Sequence, residues 1–146
     1  AARRPGAAPP AHPIGRPVKM SKRTKWLSRQ AAMPLPCMTL CLSDKEFKRV
    51  CRELRAGETE FIAYGSDGMT HFLRDNEGDS VAVVCISGTD RLNAVEVAGL
   101  IVHEAVHVWQ HYCMMIHEHE PASEQEAYGI QSISQSLMAE YARRIG

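Results

Sequence analysis

The string His103-Glu104-Ala105-Val106-His107 constrains this chain more than any other feature, because its chemistry works only on an α-helix. Residues four apart on a helix are rotated by about 40°, so both histidines project from one face and can reach one metal at about 2.0–2.1 Å. Glu104 follows the first histidine, where its carboxylate can serve a water as a base instead of binding the metal. A zinc-binding helix is the expectation.

The surrounding residues supply that helix. Asn93 with Glu96 three positions on reads as a capping box, opening a helix that runs through the string to about Ile116. An apolar stripe at Ala98, Ile101, Ala105, Val108 and Tyr112, spaced by three and four, faces the core and leaves the histidines on an adjacent side. Gly99, one turn before His103, leaves room for a second helix to approach. Pro121 and Ser123 announce that helix at about 123–143.

A catalytic zinc takes three protein ligands and keeps one position open, so a third donor is needed. Glu124 and Glu126 are the candidates, and being about 200° apart on a helix only one can face the metal. Glu126 lies nearer the apolar stripe Ala127, Ile130, Leu137, Tyr141, whereas Glu124 sits one turn before the small Ala127, which permits close helix approach. Tyr128 is a candidate to stabilise an oxyanion, with interhelix packing as the competing role. His111, His117 and His119 read as a solvated helix end favoured by the dipole, and Trp109 as core. Gln110 and Cys113 stand where the longer metzincin pattern has glycine and a third histidine, which excludes that pattern.

At 146 residues the chain has room for one core. Residues 1–33 hold eight of its seventeen Lys/Arg and no acid, so the remaining nine face seventeen Asp/Glu in 34–146. An acidic body argues against nucleic-acid binding, which needs clustered positive charge. The basic, proline-rich segment 1–33 has no apolar run for a membrane span or signal peptide and is expected to be disordered. Five scattered cysteines without a C-x-x-C pair suggest free thiols, Cys85 and Cys113 among them buried, and a cytoplasmic setting.

Ser43-Asp-Lys-Glu before Phe47, Val50, Cys51 and Leu54 predicts a helix over about 44–56, ended by Gly57. Runs at 60–64, 69–74 and 80–87, separated by turn residues, predict a meander of about three antiparallel strands. Val81–Ile86, apolar on both faces, belongs at or near its centre. The order helix, strands, helix, helix is α+β.

Met33-Pro-Leu-Pro-Cys, Ser-Asp-Lys-Glu-Phe, His-Glu-Ala-Val-His-Val-Trp-Gln and Ser-Glu-Gln-Glu-Ala-Tyr-Gly-Ile-Gln together resemble a group of small uncharacterised proteins of tailed phages and prophages, over about residues 33–141. More distantly the order is similar to gluzincins, including minimal cytosolic peptidases that cleave repressors. The resemblance implies a small zincin-like metallopeptidase domain over 34–146, beginning at Met33, in the cytoplasm of a bacterial host. It implies Zn2+ held by His103, His107 and Glu124, because the ligand glutamate of that family precedes a small residue by three positions, as Glu124 precedes Ala127. Glu126 stays the alternative ligand, and Glu104 the base that activates a water against a protein or peptide substrate. The competing expectation is a non-catalytic phage structural or host-interaction protein in which zinc only clamps two helices.

Overall fold

Val81, Val83 and Cys85 point to one face of a strand and Ala82, Val84 and Ile86 to the other, and all six are fully buried. A strand with no polar face must be covered on both sides. A computed structural model, which describes residues 24–27 and 37–146, shows how this is done. The elements in chain order are β1 (Cys37–Cys41), α1 (Asp44–Glu53), β2 (Gly68–Arg74), β3 (Ser80–Ile86), α2 (Ala94–Met115) and α3 (Ser123–Ile145). The sheet order is β1-β3-β2, with β3 central, parallel to β1 and antiparallel to β2.

Each face of β3 has its own core. Ala82, Val84 and Ile86 join Met38 and Leu40 of β1 against Val97, Ile101, Ala105, Val108 and Trp109 of α2 and Ile133 and Leu137 of α3. Val81, Val83 and Cys85 join Cys41 against Phe47, Val50, Cys51 and Leu54 around α1. The protein is a small α+β domain of three helices and a three-stranded mixed sheet.

The expected meander is corrected at one strand. Residues 60–64 form no strand, and the third place beside β3 belongs to Cys37–Cys41, so the sheet is mixed. The reason is tertiary. The carbonyl of Phe61 accepts a hydrogen bond from Nε2 of His71 at 2.9 Å, and the Phe61 ring meets Phe47 at 6.0 Å between centroids. These contacts hold the segment as a loop whose Tyr64 is wholly exposed. Cys37–Cys41, four of whose five residues are buried, supplies the apolar cover that β3 requires.

Local capping sets the helix starts. Ser43 Oγ accepts from the Glu46 amide, while the Glu46 carboxylate accepts from the Leu42 amide at 2.9 Å. At α2 the capping box is complete, with Asn93 Oδ1 accepting from the amides of Val95 and Glu96 and the Glu96 carboxylate from the Asn93 amide. Helix α1 stops before the expected Gly57. The chain leaves it at Leu54, turns through Arg55 at φ 53, and the Ala56 amide closes the end on the Cys51 carbonyl. The β2–β3 hairpin turns at Asp75, whose Oδ1 accepts from the amides of Glu77 and Asp79, and Gly78 takes the φ of 87 that the turn demands.

Residues 24–27 fall inside the segment expected to be disordered, yet they pack on the body. Trp26 and Leu27 are buried, Leu27 bridges to Met38, and Thr24 donates to Glu53 at 2.6 Å. The rest of that segment lies outside the described residues.

Helix α3 folds back on α2 where Gly129 meets the indole of Trp109. A Cβ at 129 would overlap Cζ3, Cε3 and Cη2 of that ring. Alanine gains about 1 kcal/mol over glycine in helix propensity, while overpacking costs about 1–3 kcal/mol. With a buried, rigid indole as the obstacle, the second effect prevails. Gly129→Ala is expected to lower stability by about 1–2 kcal/mol, read as a lower urea midpoint at unchanged slope.

Candidate metal and catalytic site

Helix α2 is amphipathic in an unusual way. Its buried side carries Val97, Ile101, Glu104, Ala105, Val108, Trp109 and Cys113, so one carboxylate lies among apolar residues. His103 and His107 stand on the neighbouring, exposed side. Their Nε2 atoms are 3.2 Å apart and their rings meet at 72°. Two ligands at about 2.0–2.1 Å on a tetrahedral zinc stand about 3.3 Å apart. The histidine pair therefore has the spacing of two ligands on one ion, and as imidazoles they are suitable donors.

Glu104 is 3% exposed. Its Oε2 accepts a hydrogen bond from Oγ1 of Thr70 at 2.7 Å, and its Oε1 lies against Gly68, where a Cβ would stand 2.9 Å away. Burying a carboxylate beside one neutral hydroxyl is costly, and a packing role alone does not repay it. Thr70 and Gly68 both belong to β2, an edge strand of the sheet, so the glutamate is held against that strand. Sequence reasoning missed both residues. Gly68 read as the end of a turn, and only the inter-element contact discloses its purpose.

The other predicted site residues are placed apart from the pair. Glu126, exposed like Glu124, nonetheless reaches α2, where its Oε2 accepts from Trp109 Nε1 at 3.3 Å. Trp109 is two residues beyond His107, about 200° around the helix, so this contact is on the far side of α2 from the histidines. Glu124 is exposed in the first turn of α3, about 200° from Glu126 and so directed away from α2. Tyr128 shares that outer side and is 62% exposed. Among the described residues no three His, Cys, Asp or Glu side chains come together as a metal-binding group. The structure thus brings His103 to His107, and separately Glu104 to Thr70 and Gly68, and does not bring Glu124, Glu126 or Tyr128 to the histidine pair.

His111, one turn beyond His107, packs instead. Its ring stacks on Phe72 at 3.8 Å and 13°, and its Nε2 hydrogen-bonds Ser80 Oγ at 2.9 Å. His117 and His119 are exposed past the end of α2. Among the described residues no helix is long and apolar enough to cross a membrane. Comparison of the chain with family models, with curated proteins and with solved structures finds no match.

Burial, and then the nearby Arg74 charge, push the His111 pKa below its ordinary value of 6.5. Because the folded state favours the neutral ring, stability from this group is complete above 6.5 and declines as the pH falls through that value. The His111 ring resonances are expected to titrate at lower pH than those of a free histidine. His111→Asn is expected to flatten the fall in stability between about pH 6.5 and 5, measured by urea unfolding.

Proposed function

We propose that the chain is a zinc-dependent peptidase, a small zincin-like hydrolase of the gluzincin kind, encoded by a phage or prophage and acting in the host cytoplasm on a protein or peptide. The observation that carries this reading is the 3.2 Å separation of the His103 and His107 Nε2 atoms beside the buried carboxylate of Glu104. His103 and His107 would hold the metal. Glu124 is the third ligand that the family resemblance implies, with Glu126 as the alternative if it gives up the Trp109 indole. When bound, zinc supplies Lewis-acid polarisation of a carbonyl and a lowered pKa for a water.

The chain's own residues account for the remaining steps. Among the described residues no strand lies on the outer side of β2, and an extended peptide can add there as a further strand, bringing its scissile bond alongside Glu104. Thr70 fixes Oε2 of Glu104, and Gly68 leaves space for Oε1. The carboxylate takes the proton of the attacking water as the oxygen bonds to the carbonyl carbon. It then delivers that proton to the departing amine as the C–N bond breaks.

The test is zinc content, melting with and without chelator, and cleavage of a peptide library, for the full chain and its variants. Wild type and Glu104→Gln are expected to carry about one zinc each, His107→Ala none. Chelator is expected to lower the melting point of the first two, since a ligand at 100 times its Kd stabilises by about 2.7 kcal/mol. Glu104→Gln is expected to lose about 100- to 10,000-fold in cleavage rate at unchanged zinc content. Loss of zinc in Glu124→Ala but not Glu126→Ala identifies the third ligand. Zinc-free wild type that melts alike with and without chelator refutes the reading, and stoichiometric zinc with no cleavage of any library peptide favours a helix-clamping structural metal.

Thr70→Val tests the positioning of the base separately. It removes the hydroxyl at similar volume, so zinc content is expected to hold while the cleavage rate falls about tenfold. An unchanged rate would show that Thr70 does not position Glu104.

A further inference from the structure

Away from the histidines, where β1, α1 and the end of α3 meet, a cavity of about 180 Å³ opens. Four cations line it, Lys25, Arg49, Arg143 and Arg144, with only Glu46 and Glu140 against them, an excess of two positive charges. Both acids are already engaged. Glu46 pairs with Arg144 and accepts from the Leu42 amide. Glu140, 5% exposed, binds Arg143 at 2.7 Å and Lys25 at 2.9 Å. Arg143 first, and then Lys25, hold the Glu140 carboxyl at a pKa of about 2, so it stays ionised, one negative charge shared between those two cations.

Lys25 and Arg143 share one carboxylate, and Arg49 is the cation with no acidic partner among the described residues. Its Nε is buried with no hydrogen-bond partner, and among the described residues it enters no ion pair. A half-buried guanidinium that lines a cavity without an ion-pair partner, within a field of excess positive charge, calls for an anion. Arginine presents planar paired donors that suit the oxygens of a phosphate, and a phosphate monoester at neutral pH carries about −1.5 to −2 charges, which matches the excess. We infer that this cavity is a binding site for a phosphate group, free or as the end of a small phosphate ester, with Arg49 as its principal ligand. The site shares no residue with His103, His107, Glu104 or β2, so it stands whether or not the chain is a peptidase.

The test uses the full chain titrated with inorganic phosphate, followed by melting temperature and by amide chemical shifts, against sodium chloride at matched ionic strength. Saturable binding is expected, with the largest shifts at Thr39, Leu40 and Cys41, which line the cavity. Arg49→Met is expected to weaken the affinity at least tenfold, and Arg49→Lys to recover part of it. Glycerol 3-phosphate distinguishes the sources: tighter binding than inorganic phosphate identifies an ester ligand, equal binding the free ion. A wild-type response no greater than that to chloride overturns the proposal. So does an Arg49→Met titration indistinguishable from wild type, or shifts that centre away from the β1, α1 and α3 residues lining the cavity. If Arg49→Met does not fold, the location of the wild-type shifts decides.

Discussion

Every other element is placed by the need to cover Ser80–Ile86 on both faces. Six consecutive residues of β3 are fully buried. At about 25 cal/mol per Å² of apolar surface, leaving either face wet would cost more than a domain this size can spare. The two alternating sets divide the work, one calling α1 to its side and the other α2 with α3. The position of α2 follows from this. With Val97, Ile101, Ala105 and Val108 committed to the sheet, the rotation of the helix is decided, and with it the outward direction of His103 and His107. Glu104, between the two sides, is carried to the edge strand β2. The site geometry is thus a by-product of how a two-faced strand is buried.

What was legible in the sequence follows the range of the interactions involved. The N-cap at Ser43, the capping box at Asn93, the Asp75–Asp79 turn and the two-faced character of β3 are written within a few residues, and each is found where the local pattern put it. Cys37–Cys41 was not legible as a strand. Its partner lies more than forty residues on, and a parallel pairing leaves no hairpin turn between the strands to announce it. Glu60–Tyr64 has strand-like composition, but the grip of His71 on the Phe61 carbonyl decides otherwise, and that contact spans the loop.

The same distinction runs through the site. The histidine spacing is a property of one helix, so the pair was readable and meets at 3.2 Å. A third ligand depends on how α3 is rotated against α2. That rotation is set by Gly129 receiving the face of Trp109 and by the indole N–H that Glu126 accepts. Neither residue carries a pattern that reveals its partner. Family resemblance favoured Glu124, and the packing turns Glu124 outward with Tyr128.

This leaves a defined competition at the start of α3. The Trp109 indole N–H is buried and needs an acceptor, and Glu126 supplies it. If Glu126 were instead to bind a metal on the histidine side, the indole would lose its partner, a cost of about 1–3 kcal/mol. Glu124 has no such tie, being exposed in the first helical turn, but to reach the pair α3 would have to rotate about its axis. The Gly129–Trp109 contact opposes that rotation, because any neighbour of Gly129 on the helix would bring a Cβ against the ring. A shift of the first turn of α3 alone, ahead of Gly129, would leave the Gly129–Trp109 contact in place but would still move Glu126 against the indole. Ala122, the N-cap, makes no side-chain cap hydrogen bond, so this end of α3 is the one least tied to its place. The rest of α3 is anchored through Ile133, Leu137 and the Glu140 ion pairs, so on the proposed reading any third ligand from this helix has to come from its first turn.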